Sequence, residues 1–225
     1  MAADLQLQKE LAARHSLRFI QDGMTLGLGT GSTAAIALRL IGAHGFRGIR
    51  GVPTSEASAS LAREVGIPLV DLNDVDAIDL TIDGADEIAP GLALIKGGGG
   101  ALLREKLVAQ VSRQMIVISD STKLVQRLGS FPLPVEVIPF NWKHIQAKLK
   151  ALDLHPLRRL RSGEPFRTDQ GNFILDCACG DIPNPGELAR EIKAMGGVVD
   201  HGLFLGLATL ALVADADGSV REIKP

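Results

Sequence analysis

The feature that most constrains this chain is a rhythm of segment lengths. From the N-terminus, its apolar patterns read helix over 4–21, strand over 24–28, helix over 33–41, strand over 48–52, helix over 55–65 and strand over 67–70. Strands separated by helices need crossover connections, so they pair in parallel, with helices packed on both faces of the sheet. Residues 77–82 and 114–118 add further strands, and 207–223 adds two more joined through Asp215-Ala216-Asp217-Gly218. The fold class expected is α/β, with a doubly wound, mostly parallel, Rossmann-like sheet and a second, smaller α+β domain. The boundary falls at Phe131-Pro132-Leu133-Pro134, where two closely spaced prolines interrupt regular structure. Beyond it come a strand at 135–138, a helix at 141–151, a hairpin over 157–176, a helix at 186–195 and a strand at 198–199. The expected organisation is therefore residues 1–130 with 203–225 as one domain and 131–202 as the smaller one.

In an open α/β sheet, ligands bind beyond the carboxyl ends of the strands. Strand 77–82 ends directly in Asp83-Gly84-Ala85-Asp86-Glu87, and Lys96 follows shortly, trailed by four consecutive glycines, Gly97 to Gly100. A glycine inside an element costs roughly 0.5–1 kcal/mol relative to alanine. A run of four therefore suggests a loop whose backbone N–H groups must approach a ligand closely. The helix expected over 101–108 starts just after it, so the loop lies at a helix N-terminus with free donors and partial positive charge. Glu105 falls about one turn into that helix.

Residues 27–33, Gly-Leu-Gly-Thr-Gly-Ser-Thr, form a second glycine-rich passage from strand to helix. Ser32 and Thr33 can cap the helix, whose N-terminus favours an anion. A nucleotide P-loop is excluded because Gly31, not lysine, precedes Ser32. A dinucleotide fingerprint is disfavoured because Ser32 stands at its third glycine and no acid closes the next strand. A monophosphate cradle is the economical reading. Lys123, after strand 114–118, also follows a strand end and can converge on the same crevice.

Asp83-Gly84-Ala85-Asp86-Glu87, Lys96-Gly97-Gly98-Gly99-Gly100-Ala101 and Arg104-Glu105-Lys106 together resemble the signature of the type A ribose-5-phosphate isomerases. The glycine-rich turn after Gly27, the stretch from Phe131 to Pro139, and Gly202-Leu203-Phe204 resemble the same family in the same order. One departure is Leu103, where the family pattern has a small hydroxyl residue. The resemblance implies that Glu105 is the base moving a proton between C1 and C2 of ribose 5-phosphate. It implies that Asp83 and Asp86 hold hydroxyls and assist ring opening, and that Lys96 stabilises the oxyanion. Thr30, Gly31, Ser32, Thr33, Gly84, Ala85, Gly97, Gly98, Gly99 and Lys123 would hold the rest of the sugar phosphate, with Lys9 reaching towards the phosphate. It also implies a homodimer or a dimer of dimers, and no cofactor.

Composition agrees with such a protein and disfavours several others. With 225 residues, 46% hydrophobic and 22% charged, the chain has the balance of an ordinary soluble globular protein. A net charge of −2 gives no overall attraction to nucleic acid or to an anionic membrane. No apolar run is long enough to span a bilayer, and residues 1–18 lack the apolar centre of a secretory signal, so a cytoplasmic location is expected. Cys177 and Cys179 are expected to share a face of a strand as small residues, without metal or disulfide, and the five histidines show no ligand spacing. The smaller domain is locally basic, with Arg158, Arg159, Arg161 and Arg167 among its cations, and these read as a solvated face. A phosphate cradle, a glutamate, two aspartates and lysines suit proton abstraction beside a carbonyl, with the enediolate oxygen held by cationic or N–H donors. Two other readings of the fold carry extra requirements. A sugar-phosphate-binding regulator would need a DNA-binding segment, and no helix-turn-helix stretch is evident. An acyl-CoA transferase with Glu105 as nucleophile would need a CoA-sized site.

Overall fold

The computed structural model describes residues 2–225, with side chains from Leu5 onward. In chain order the helices are α1 (Ala2–Ser16), α2 (Ser32–His44), α3 (Glu56–Glu64), α4 (Leu102–Gln110), α5 (Trp142–Ala151) and α6 (Pro185–Lys193). The strands are β1 (Thr25–Leu28), β2 (Arg50–Pro53), β3 (Leu80–Asp83), β4 (Glu87–Ala89), β5 (Ala93–Ile95), β6 (Met115–Asp120) and β7 (Leu133–Val137). They continue with β8 (Pro156–Arg158), β9 (Leu160–Arg161), β10 (Glu164–Pro165), β11 (Phe173–Cys177), β12 (Val198–His201), β13 (Leu203–Phe204), β14 (Leu210–Ala214) and β15 (Val220–Ile223).

The central sheet has the order β15-β14-β6-β3-β1-β2, and every neighbouring pair is parallel except β14 with β15. Strand residues alternate between its two faces. Ile116, Ile118, Leu210 and Leu212 pack with Leu26, Leu28 and Leu80 against Ala12 and Ala13 of α1 and Ala37, Leu38 and Ile41 of α2. Met115, Val117, Ala211 and Val213 point the other way, onto Ala109 of α4, Ile88, Leu94 and Phe204. Both faces are covered, which is why β1, β3, β6 and β14 are buried along their whole lengths. The chain winds from β1 outward to β2, then crosses back to place β3 on the other side of β1. The carboxyl ends of β1 and β3 thus flank a topological switch point, where a crevice opens.

A second sheet, β12-β7-β11-β8, is antiparallel and carries α5 and α6 over a core of Val135, Val137, Ile145, Leu149, Leu175 and Ile192. The expected hairpin over 157–176 is present as β8 against β11, with the small β9–β10 ribbon at its tip. No helix among the described residues is long and apolar enough to cross a membrane.

The structure departs from the sequence reading in several places. The strand expected at 67–70 is a single parallel bridge, Gly51 to Leu69. Pro68 has no N–H to extend the ladder, and Asp71 at once caps a 3-10 turn by accepting from Asn73 N–H. The first helix ends at Ser16 and tightens into a 3-10 turn over Leu17–Phe19 rather than running to residue 21. Pro134 lies inside β7 rather than in a linker, and Cys179 lies past the end of β11, so the two cysteines do not share that strand. The three-stranded sheet β13-β5-β4 was not expected, because strands of two or three residues leave no periodic pattern.

Gly27 of β1 lies hard against Thr81 of β3 and Val108 of α4. A Cβ built there would stand 1.9 Å from Thr81 Oγ1 and 2.7 Å from Val108 Cγ1. Gly27→Ala should therefore destabilise the chain by ~1–3 kcal/mol, the ordinary range for overpacking. Urea unfolding would measure it, and an unchanged midpoint would contradict the packing described.

Candidate active site

The crevice at the switch point encloses about 140 Å³. Its walls come from the turn after β1, the segment after β3, the glycine loop before α4, and Lys9 and Lys123 from either side. Thr30, Gly31, Ser32, Thr33, Gly84, Ala85, Asp86, Lys96, Gly97, Gly98, Gly99 and Glu105 all line it. The structure thus brings together the residues expected to form the site, with one difference. Asp83 is fully buried and lies behind the wall rather than on it.

One end of the crevice is built for an anion. Gly31, with φ of 110°, is the N-cap of α2 and brings no side-chain cap, so Ser32 and Thr33, expected as caps, are instead the first residues of the helix and line the crevice. The N–H groups of a helix's first turn have no partner within the helix. Lys9 Nζ lies 3.2 Å from Ser32 Oγ, adding positive charge. The turn is braced from below by residues the sequence reading did not single out. Thr30 Oγ1 stands 2.7 Å from Thr54 Oγ1 and 2.8 Å from Ser55 Oγ, and Thr54 Oγ1 donates to Leu28 O at 2.9 Å. Ser55 in turn caps α3 through a reciprocal pair with Ser58. The sequence carries that cap as Ser55-x-x-Ser58, so the brace had a readable signal in the capping pattern.

The other end is a buried charge cluster. Asp83 Oδ1 accepts from Thr30 N–H at 3.0 Å and from Gly84 N–H at 2.7 Å, tying β3 to the turn after β1. Its Oδ2 stands 3.0 Å from Lys96 Nζ, and Glu105 Oε2 stands 3.5 Å from the same ammonium. Lys96 also donates to Gly84 O at 2.6 Å, and its Nζ is 5.6 Å from the Phe204 ring centre. Asp86 is half-buried and accepts from Gly98 N–H at 2.8 Å. Glu87, though part of the same acidic run, faces away and holds the backbone N–H groups of Gly129 and Phe131. Gly97 and Gly100 have φ of 109° and 86°, in the region that side chains avoid, so the loop's path requires glycine there.

The electrostatics follow from the geometry. Burial lifts Glu105 from the ordinary carboxylate range to about 8; the nearby Lys96 pulls it down, while Asp83 and Asp86 push it further up. Burial works against the Lys96 ammonium, but Asp83, Glu105 and Asp86 outweigh it and hold it above the ordinary lysine value. Glu105 is thus able to take up a proton near neutral pH. Paired with an ammonium and open to a small crevice, it can abstract a proton from a bound molecule, and Lys96 can hold an oxygen on which charge develops.

Known proteins resemble this chain along most of its length. Residues 50–218 match the family model of ribose 5-phosphate isomerase A (phosphoriboisomerase A). The ribose-5-phosphate isomerase A of Caulobacter vibrioides is 52% identical over 220 residues, covering 95% of this chain and 96% of that one. Among solved structures, a D-ribose-5-phosphate isomerase in complex with phospho-erythronic acid superposes with a TM-score of 0.94 at 39% identity, covering 97% of this chain and 98% of that one. The ribose 5-phosphate isomerase A of Methanocaldococcus jannaschii superposes with a TM-score of 0.91 at 36% identity, and each chain is fully covered.

Titration should expose the charge cluster directly. Followed by carboxyl carbon NMR, one glutamate should titrate near 8, and Lys96→Met should move it higher still, because the charge that lowers it is gone. A Glu105 midpoint at the ordinary 4.5 would contradict the burial argument. The raised value also sets a sign for stability. The favourable contribution of Glu105 is fully present below about 4.5 and is lost as pH rises through about 8. Glu105→Gln should therefore gain in stability relative to the native chain across that window, as read from urea unfolding at a series of pH values.

Proposed function

Since the chain belongs to the ribose 5-phosphate isomerase A family and is an isomerase, we propose that it interconverts D-ribose 5-phosphate and D-ribulose 5-phosphate through an enediolate, with Glu105 as the base. The observation that carries this reading is what the one crevice brings together. It is lined both by the first turn of α2, with Lys9 beside it, and by Glu105 paired with Lys96. A sugar phosphate presents its anion and its carbonyl at opposite ends.

In the proposed cycle, the phosphate sits at the first turn of α2 between Lys9 and Lys123. Asp86 holds a sugar hydroxyl and assists ring opening. Asp83, engaged by Thr30, Gly84 and Lys96, acts by fixing the ammonium in place. Glu105 takes the proton from C2 of the open aldose. The C–H electron pair becomes the C1–C2 double bond of the enediolate, and the carbonyl pair moves onto O1, which Lys96 stabilises. A proton passes from O2 to O1, and Glu105 returns its proton to C1, leaving the C2 ketone. Burial of Glu105 supports this role, because a base whose pKa lies near the working pH serves well in both directions. The relative solved with phospho-erythronic acid is consistent with a crevice that accepts a phosphorylated sugar acid. The reading carries with it a homodimer in the cytoplasm as part of the pentose phosphate pathway. Residues 1–130 with 203–225 would carry the chemistry, and 131–202 would form the smaller domain beside it.

Two variants test the two ends separately. Glu105→Gln should bind ribose 5-phosphate yet lose isomerisation by about 10²-fold or more, the share of a general base. Exchange of the substrate C2 proton in D₂O should disappear with it. Near-normal exchange would move the base to another carboxylate.

Ser32→Ala with Thr33→Ala should raise KM more than it lowers kcat, because the phosphate lies remote from the reacting carbons and contributes mainly uniform binding. A large fall in kcat at constant KM would contradict the phosphate assignment.

A further inference from the structure

The glycine loop that closes the crevice is gripped from outside by one arginine. Arg159 lies between β8 and β9, among the basic residues that the sequence presents as a solvated face. Its side chain instead turns inward. Nε and Nη2 donate to Asp176 Oδ2 and Oδ1 of β11 at 2.8 and 2.5 Å, a bidentate pair that fixes the plane of the guanidinium. Nη1 then donates to Gly97 O at 2.9 Å and to Gly98 O at 3.1 Å. The backbone of Arg159 is itself anchored, its N–H donating to Ile174 O at 2.8 Å and its carbonyl accepting from Phe166 N–H at 3.0 Å. Phe166 adds a wall on the same loop, since a Cβ at Gly100 would stand 2.4 Å from its ring.

Glycine peptides rotate more freely than others, and in a trans peptide the C=O and N–H point in opposite directions. The peptide joining Gly97 to Gly98 is held at both ends, its carbonyl by Arg159 and its N–H by Asp86 Oδ2 at 2.8 Å. The next peptide is held by its Gly98 carbonyl, which leaves the Gly99 N–H facing the opposite way. Arg159 is not among the residues lining the crevice, whereas Gly97, Gly98 and Gly99 are. A flip of either peptide would turn a carbonyl dipole towards the place where the proposed reaction develops negative charge.

We propose that Arg159, fixed by Asp176, is a positioning residue for the isomerisation, holding the Gly97 and Gly98 carbonyls away from the crevice so that the Gly98 N–H stays on Asp86 and the Gly99 N–H faces the reacting sugar. The inference rests on the functional reading above and adds a residue to it from the antiparallel sheet. Arginine is required rather than any cation, because an ammonium cannot engage a carboxylate and two carbonyls in one plane.

The test uses the full chain with Arg159→Ala, Arg159→Lys and Asp176→Asn, each first checked for native circular dichroism and thermal unfolding. Arg159→Ala should lose roughly 10–100-fold in kcat, the scale of a misplaced catalytic loop, with a much smaller change in KM. Arg159→Lys should not restore the rate, and Asp176→Asn should show a smaller loss of the same kind. Ethylguanidinium at millimolar concentration should rescue part of the Arg159→Ala rate, and ethylammonium should not. Amide hydrogen exchange, read by mass spectrometry without substrate, should accelerate in the peptide spanning Gly97 to Gly100 and stay unchanged in β3 and β6. Full activity in a folded Arg159→Ala or Arg159→Lys variant would overturn the proposal. So would acceleration of exchange spread evenly over the chain, which would mark a general loss of stability. If the native protein fails to isomerise ribose 5-phosphate, the functional reading falls, while the exchange measurement still decides whether Arg159 holds the loop.

Discussion

A single ammonium placed among carboxylates, away from water, is the interaction on which the rest of the site depends. Removing charges from water costs several kcal/mol per ion unless geometry and hydrogen bonds compensate. Here the compensation is spread over the fold. Asp83 takes two backbone N–H groups, Lys96 takes the Gly84 carbonyl, and the Lys96 backbone N–H donates to Gly202 O at 2.9 Å. The small sheet formed by β4, β5 and β13 exists where it does because it delivers Lys96 to that point. Leu203 and Phe204 pair with Ile95 and Leu94, the residues just before the lysine, and the Phe204 ring lies near the ammonium. Glu105 is the member of the cluster left with the weakest compensation, and its readiness to hold a proton follows from that deficit.

Beside this cluster stands a second buried lysine, one residue further along α4. Lys106 pairs with Asp200 at 2.5 Å and also donates to the His201 carbonyl at 2.5 Å. Its Nζ lies 4.9 Å from the centre of the same Phe204 ring. Adjacent residues on a helix point about a quarter-turn or more apart, so Glu105 and Lys106 serve different neighbours. One faces the crevice, and the other ties the helix to β12. The Arg104-Glu105-Lys106 motif is thus a list of three directions rather than one function, and Arg104 completes it by reaching Glu56 on α3 at 2.8 Å.

The parallel sheet and the crevice were legible because their signals are local in sequence. The turn after β1 and the acids and glycines from Asp83 to Gly100 each lie in one short run of sequence, and the helix and strand alternation builds up from neighbouring segments. Elements defined by long-range contact were not legible. β5 and β13 lie more than a hundred residues apart and are too short for a pattern, while the 67–70 segment had the composition of a strand but a proline where the ladder needed a donor. Arg159 could not be distinguished from its basic neighbours, since only the fold brings Asp176 and the Gly97 carbonyl within its reach. Asp83 was singled out from the sequence as a crevice residue, but its complete burial behind the crevice wall came only with coordinates.

The reversal of winding between β2 and β3 has a consequence for folding. The hydrogen bond from Thr30 N–H to Asp83 closes a separation of 53 residues, and Glu105 enters the crevice from still further along the chain. Contacts of this span form late and slowly compared with local ones. The crevice therefore requires the turn after β1, the end of β3 and the start of α4 to be assembled together. A molecule lying across it fastens the β1 turn, the end of β3 and the start of α4 to one another, segments that opening of the sheet would separate. By mass action it therefore favours the whole assembled sheet over every open form, acting as a reversible crosslink in a chain whose cysteines form none.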